Sequence, residues 1–313
     1  MTTAAPPSDD MRMQRRAGLL YATAAYGLWG FMPGFFLLLA PSSPFEIVAG
    51  RILLSLAFCA LLLTLTRTWS AVGAVIRSPR LLLIMGAAGA LISVNWTVFI
   101  VAALSGNVLA SSLGYFINPL FTVLLGVIFL RESLRALQWV AVGFGAVAIV
   151  VLAIGYGEVP WISLALAGSF GLYGLIKKQA GPRVGALPGL TVETMWLTIP
   201  AGVVLALIAA GPGIEVGDNG LVHTLLFLLA GAVTAVPLLL FASGARRLPL
   251  VTMGLVQYLA PVLQFILGAA ILHEEMPPER WAGFALVWVA LVLLTVDMLV
   301  EGRMSRRALP ELT

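Results

Sequence analysis

A stretch of 22 residues without a formal charge, from position 109 to position 130 and followed by Arg131, limits what this chain can fold into more than any other feature. At 1.5 Å per residue, a helix of that length crosses a hydrocarbon layer of about 30 Å. Tyr115, Asn118 and Pro119 lie near its middle, where lipid offers no partner to an amide or to a carbonyl freed by proline. The run therefore predicts a bent membrane-spanning helix that is surrounded by other helices.

The same run has a second copy later in the chain, displaced by 142 positions without a gap. The positions that match are Gly89 and Gly231, Pro119 and Pro261, Gly126 and Gly268, Glu132 and Glu274, and Trp139 and Trp281. Near the start of each half, YGLWG at 26–30 resembles FGLYG at 170–174. These matches indicate an internal duplication.

Apolar runs recur along the whole chain, in which 60% of residues are hydrophobic and only 10% are charged. This composition is typical of an integral membrane protein and lies far from that of soluble domains. We predict an all-α protein of ten transmembrane helices, at 17–39, 45–66, 81–104, 109–130, 136–154, 160–178, 190–210, 223–242, 251–272 and 280–299. The first repeat spans 17–154 and the second 160–299, between an N-terminal tail of residues 1–16 and a C-terminal tail of 300–313.

The basic residues give an independent test of this arrangement. With the N-terminus inside, 16 of the 18 Lys and Arg residues fall in cytoplasmic segments, and only Arg51 and Arg280 do not. Both termini are thus predicted to be cytoplasmic, in a multi-pass membrane protein. The basic residues serve membrane topology, so nucleic-acid binding is excluded. Because each repeat has an odd number of helices, the second enters the membrane from the opposite side.

Inverted repeats of this kind are a recurrent architecture of secondary transporters, which bind substrate near the membrane midplane between the halves. No phosphate-binding GxxxxGK[ST] string occurs, so any active transport must be secondary. An embedded enzyme would need clustered His, Asp, Glu or Cys at membrane depth, and the sequence shows no such cluster, metal site or cofactor motif. A receptor or scaffold remains the alternative, although neither requires a duplication. Nothing in the sequence specifies an oligomeric state.

Polar and aromatic residues within the helices are the candidates for contact with a small-molecule substrate, and three prolines are candidate helix bends. Arg51 must face a partner or an aqueous cavity, because exposure to lipid costs on the order of 3 kcal/mol. Glu193 is either half-exposed near the cytoplasmic end of its helix or the carrier of a coupling proton. Asn118 and Gln257 either contact substrate or satisfy carbonyls freed by the prolines. The candidates are Tyr26, Trp29, Arg51, Asn95, Trp96, Tyr115, Asn118, Tyr173, Glu193, Trp196, Gln257 and Tyr258, with bends at Pro119, Pro237 and Pro261.

Several strings together resemble the RarD-type permeases, of the EamA branch of the drug/metabolite transporter superfamily. They are SLGYFINPL at 112–120, NW at 95–96, GLTVETMW at 189–196, SFGLYGLIKK at 169–178, TAVPLLLF at 234–241 and QYLAP at 257–261. The resemblance implies a ten-helix inner-membrane permease for small organic solutes. The chain departs from that pattern at Gly50, where a His is usual, and at Ala110, where an acidic residue is frequent.

Overall fold

The computed structural model describes residues 9–131, 134–156, 159–180, 184–245, 247–248, 253 and 256–308. Within these ranges the chain is helical and contains no β-strand. The helices are α1 (Asp9–Leu37), α2 (Pro44–Thr66), α3 (Trp69–Ile76), α4 (Pro79–Leu104), α5 (Val108–Leu130), α6 (Ala136–Tyr156), α7 (Trp161–Ala180), α8 (Ala186–Ala210), α9 (Gly220–Ala245), α10 (Leu259–Ile266) and α11 (Pro278–Ala308). Glu132 of the duplication and Arg183 and Arg246 of the charge pattern lie outside the described residues.

Seven of these helices, α2, α4, α5, α6, α8, α9 and α11, combine the length and hydropathy that a membrane span requires. The apolar helices α7 and α10 are shorter, although α10 continues into a π-helical turn at Leu267–Ile271. These helices confirm the prediction of an all-α membrane protein. The division into ten spans stays a prediction.

Helix α3 was not among the predicted helices and lies in a segment that we expected to be a connection. It is only eight residues long, too short to cross a bilayer. Val72 and Val75 are buried against α4 and α8, whereas Trp69 and Ile76 are exposed on its other side. One buried side and one exposed side are typical of a helix that lies on the surface of the bundle.

Packing joins helices from the two halves of the chain more than helices within one half. α1 packs on α9 and α10, α2 on α8 and α9, α4 on α7 and α8, α5 on α7 and α10, and α6 on α11. The largest group of buried apolar residues accordingly draws on both halves. A polar side chain within this core therefore lies between the halves.

Two of the duplicated glycines allow main chains to approach each other closely. A methyl group added at Gly231 of α9 would lie 2.5 Å from the main-chain carbonyl of Leu54 on α2. One added at Gly89 of α4 would lie 3.0 Å from the carbonyl oxygen of Glu193 on α8. Backbone cannot move aside as a flexible side chain can, so these glycines fix the spacing of α2–α9 and α4–α8.

We expect Gly231→Ala to destabilise the protein by about 1–3 kcal/mol, because the added methyl group overpacks the α2–α9 contact. Gly202→Ala is the matched control, since no atom lies within 4 Å of a methyl group at that helical position. The control should gain up to about 1 kcal/mol from helix propensity. Thermal unfolding of both variants in detergent would measure the difference, and equal midpoints would contradict this account of the interface.

The connections between long helices fall at two ends of the bundle. The first, called the Glu274 end, consists of residues 38–43, 105–107, 211–219 and 272–277. The second, called the Arg135 end, includes residues 67–78, 134–135, 184–185 and 247–248. At the Arg135 end, Arg135 and Gln138 both bind the carboxylate of Asp297, and Arg247 Nε donates to Gln14 Oε1 at 3.1 Å.

Glu274, Glu46 and His223 make polar contacts that cross between the halves of the chain at the Glu274 end. Glu274 accepts hydrogen bonds from the main-chain N–H groups of Val108, at 2.6 Å, and Leu109, at 3.0 Å. Glu46 accepts from the N–H groups of Glu215 and Val216, at 3.0 and 3.1 Å. A further contact joins His223 Nε2 to the carbonyl oxygen of Leu39 at 3.0 Å. Each of them holds the two halves together at this end.

Removal of the Glu274 side chain is expected to destabilise the protein by about 0.5–2 kcal/mol, the usual cost of losing a helix cap. The N-cap residue of α5, Asn107, makes no side-chain capping bond, so Glu274 supplies the acceptor for the first turn. Glu274→Ala should therefore lower the unfolding midpoint. The exposed neighbour Glu275 is the control, and Glu275→Ala should leave the midpoint unchanged. An equal drop in both variants would contradict the capping role.

The cap should also depend on pH. Burial raises the pKa of the Glu274 carboxyl above its ordinary value, and the N–H groups of Leu109 and Val108 and the charge of Arg280 offset this only in part. A carboxyl with a raised pKa contributes most stability below its unfolded pKa of about 4.3, and that contribution is lost as the pH rises through the folded value. We therefore expect the difference in thermal unfolding midpoint, wild type minus Glu274→Gln, to decrease as the pH rises from about 4.3.

Candidate functional site

The side chain of Arg51 lies in the core between the two halves. It occupies the second turn of α2 and is only 2% exposed. Its Nε atom donates a 3.0 Å hydrogen bond to Oγ1 of Thr234 on α9. The guanidinium carbon lies 4.4 Å from the centre of the Trp96 ring and 5.2 Å from that of Phe36. Arg51 is therefore sheltered from lipid, as its position in an apolar helix required.

Asn95 and Tyr115 form a hydrogen-bonded group beside Trp96. The hydroxyl of Tyr115 on α5 donates to Asn95 Oδ1 on α4 at 3.0 Å. The Asn95 Nδ2 atom donates to Oγ of Ser169 at 3.1 Å and to the carbonyl oxygen of Leu166 at 3.2 Å, both on α7. The amide of Asn95 thus connects three helices, and both halves contribute to the group.

We define the central cluster as these polar side chains and the rings that contact the guanidinium. Its members are Phe36, Arg51, Asn95, Trp96, Tyr115 and Thr234. Four of them were predicted from the sequence, whereas Phe36 and Thr234 were not. Thr234 precedes Pro237 by three residues, or about one helical turn, and this spacing is a signal that could have identified it.

Tyr173 and Glu193 form a second polar group with Lys177. Glu193 on α8 is 1% exposed, so the interpretation of this residue as half-exposed is wrong. The Tyr173 hydroxyl donates to Glu193 Oε2 at 3.2 Å, and the Lys177 ammonium, whose side chain is 29% exposed, forms an ion pair with Oε1. Phe170 lies between this group and the central cluster, since its ring centre is 6.0 Å from Tyr173 and 6.1 Å from Tyr115.

Three further predicted residues lie away from the central cluster. Tyr26 and Trp29 of α1 form an aromatic group with Phe241, with ring centres 5.2–5.9 Å apart. The carbonyl of Trp29 accepts a 3.2 Å hydrogen bond from Gln264 of α10. Trp196 is 44% exposed on the outer surface of α8, and its Nε1 atom donates to the carbonyl of Leu82.

The three prolines have different positions in their helices. Pro119 and Pro237 lie in the interiors of α5 and α9, as predicted for helix bends. Pro261 is the third residue of α10, in the first turn, where a proline costs no intrahelical hydrogen bond. The hydroxyl of Ser112 on α5 donates to the carbonyl of Pro261 at 2.7 Å, so α5 contacts α10 at Pro261, seven residues before Pro119 in the sequence of α5.

The polar residues beside the prolines do not join the central cluster. Asn118 faces Gly171 of α7, and its buried Oδ1 atom has no hydrogen-bond partner among the residues that the structure describes. Gln257 and Tyr258 lie in the turn before α10. Tyr258 lines a mainly apolar cleft of about 390 Å³ with Phe116, Val262, Trp288, Leu291, Val292, Thr295 and Val296.

The two departures from the RarD-type pattern have local structural counterparts. A methyl group at Gly50 would lie 2.2 Å from the Phe227 ring, so that ring fills the space a larger side chain would need. The carbonyl of Ala110 accepts a 2.7 Å hydrogen bond from Ser163, and Ala110 lines a small cavity of about 40 Å³. In the described part of the chain, no three His, Cys, Asp or Glu side chains are placed to hold a metal ion.

Comparisons with known proteins identify the class. Residues 159–296 match the EamA-like transporter family. The chain is 50% identical over 297 residues to the protein RarD of Streptomyces exfoliatus, covering 95% of this chain and 93% of that protein. It is 38% identical to the protein RarD of Escherichia coli K12, over 94% of this chain and 99% of the relative. An uncharacterized transporter of Vibrio cholerae is 39% identical over 94% of this chain and 96% of its own length.

A solved crystal structure shares the fold, with a TM-score of 0.58 and 20% sequence identity over 90% of this chain and 98% of that one. The helical fold and these relatives define a multi-pass membrane transporter. Within that class, the chain belongs to the EamA-like transporter family and is a RarD-type permease.

Proposed function

We propose that this protein is a secondary-active or facilitative permease that moves a small organic solute across the bacterial cytoplasmic membrane. The observation that carries the proposal is the central cluster, in which a buried cation and several polar groups lie between helices of both halves. Intramembrane ionisable groups of this kind are rare and expensive, and they typically mark a substrate or ion pathway. In this proposal Glu193, beside the cluster, is the candidate to carry a coupling proton.

The proposed architecture is a pair of inverted five-helix repeats that rock against each other. Exchange of the halves maps α1, α2, α4, α5 and α6 onto α7, α8, α9, α10 and α11. Under this exchange the α4–α7 contact becomes α9–α1, α5–α7 becomes α10–α1, and α2–α9 becomes α8–α4, and all six pairs do pack. The matching glycines Gly89 and Gly231 lie at two such equivalent contacts. This exchange symmetry supports the proposal.

Transport by alternating access requires each end of the bundle to open in turn. The contacts of Glu46, His223 and Glu274 hold the halves together at the Glu274 end, which we propose faces the outside. The Arg135–Asp297 contact joins the halves at the other end. In this proposal, the rocking movement breaks the contacts at one end while those at the other end form.

Cysteine labelling in intact cells tests the orientation. Cysteines introduced as Ser105→Cys and Asp218→Cys should react with an impermeant maleimide, because both positions belong to the proposed outer end. Those introduced as Ser78→Cys and Ser305→Cys should react only after the cells are opened. The native Cys59 is buried and gives a low background. Labelling of the Ser78→Cys variant from outside would exclude the inverted arrangement.

Solute flux in proteoliposomes tests the transport function. Vesicles containing the purified full-length protein are loaded with a defined mixture of amino acids, carboxylic acids and their amides, and the released solutes are measured by mass spectrometry. At least one solute should leave faster than from protein-free vesicles and vesicles with Arg51→Met. Equal release of every solute from all three preparations would favour the receptor or scaffold alternative.

A further inference from the structure

We infer that the transported solute carries one carboxylate, and that the Arg51 guanidinium is its counter-charge. This inference rests on the proposed function and names the substrate class of the same site. It follows from the hydrogen bonds and charges around Arg51, which leave the cation largely uncompensated.

The guanidinium uses few of its hydrogen-bond donors. An arginine has five N–H donors and no acceptor. Among the described residues, Arg51 makes one hydrogen bond, from Nε to the neutral Thr234 hydroxyl, and no carboxylate lies within 4.0 Å of it. A buried charge with unused donors is costly, and the cost is relieved by a ligand that supplies acceptors.

Two buried acidic residues of the described chain, Glu46 and Glu193, are bound elsewhere. Glu46 lies on the same helix, but its Oε1 atom accepts from the main chain of Glu215 and Val216 at the Glu274 end. Glu193 is paired with Lys177. Neither carboxylate is therefore the partner of Arg51, and the charge remains for a ligand to balance.

The geometry favours a monoanion with an apolar body. A guanidinium fork binds a carboxylate or a phosphate through two parallel hydrogen bonds. A phosphate monoester carries a charge of about −1.5 to −2 near neutral pH and would need a second cation. The central cluster contains one cation, since Lys177 is held by Glu193. The rings of Phe36 and Trp96 beside the guanidinium suit an apolar or aromatic body on the same solute.

The experiment compares carboxylates with their neutral amides on the full-length protein in detergent. The probes are benzoate and benzamide, phenylacetate and phenylacetamide, and hexanoate and hexanamide, with sodium chloride and inorganic phosphate at the same concentrations. Thermal shifts give the dissociation constants, because a ligand that binds only the folded state raises the unfolding midpoint. The variants are Arg51→Gln, Arg51→Lys and, as a control with the same charge change on an exposed residue, Arg80→Gln.

At least one carboxylate should bind wild type about tenfold or more tightly than its amide, because only the charged form completes the ion pair. Arg51→Gln should lose that preference, Arg51→Lys should keep part of it, and Arg80→Gln should retain it fully. The preference of wild type for the carboxylate over its amide is measured without any variant. This result therefore does not depend on whether the variants fold.

The inference is overturned if no carboxylate is preferred, if chloride or phosphate stabilises as strongly, or if Arg51→Gln keeps the preference. The two proposals fail separately. Flux of neutral solutes without carboxylate preference would refute only the inference, whereas carboxylate binding without flux would refute only transport.

Discussion

Replacement of Arg51 by methionine is expected to raise the melting temperature of the substrate-free protein and to abolish transport. A buried charge that lacks an acidic partner destabilises the folded state, and apolar replacement of buried charged groups often stabilises by about 1–4 kcal/mol. Thr234 does not become unsatisfied, because its hydroxyl also donates to the carbonyl of Ala230 at 2.8 Å. At about 2–4 °C per kcal/mol, the midpoint should rise by several degrees.

Arg51→Met is expected to raise the melting temperature and to abolish transport. A variant that failed to fold would lose stability as well as transport, so the two outcomes can be told apart. Arg80→Met removes an exposed arginine and serves as the control, with neither property expected to change. A lower midpoint for Arg51→Met would mean that the contacts with Trp96 and Phe36 outweigh the cost of burying the charge. Normal transport by the same variant would assign Arg51 a purely structural role.

Lys177→Met is expected to have the largest effect on stability of any substitution considered for this chain. Glu193 is almost completely buried, and Lys177 is its cationic partner. Removal of one partner from a buried ion pair costs about 3–5 kcal/mol, because the remaining charge is uncompensated. The Tyr173 hydroxyl alone does not neutralise a carboxylate. The variant should unfold at a clearly lower temperature than wild type.

The double variant Lys177→Met with Glu193→Gln identifies the cause. It removes both charges, so most of the stability lost in Lys177→Met should return. Glu193→Gln alone should cost less than Lys177→Met, because the partly exposed Lys177 can turn its ammonium group toward water. Equal losses in the double variant and in Lys177→Met would show that packing of the lysine stem, and not its charge, supports this region.

Much of the fold is readable from the sequence, because apolar composition and helix length are what a bilayer demands. Helix α3 was missed since its eight residues give little periodicity, and a short apolar segment beside arginines also suits a connection. The turn at residues 257–258 was missed for a related reason, because the apolar run continues across it to the helix that begins at Leu259.

The site was predictable where depth alone imposes a requirement. Arg51 had to be sheltered because of its place in an apolar helix, and the structure shelters it. Lys177 was counted only as a cytoplasmic charge, so its ion pair with Glu193 across two helices was not anticipated. Contacts between distant helices depend on rotation about each helix axis. The weak amphipathicity of membrane helices does not specify that rotation.

The contacts at the Glu274 end have main-chain partners, and this has an evolutionary consequence. Glu46 and Glu274 bind amide N–H groups that nineteen of the twenty amino acids provide. Most substitutions at the partner positions therefore leave these contacts possible, and proline alone removes the donor. Related chains can vary widely in these loops and still close this end of the bundle, provided that the two acids are kept.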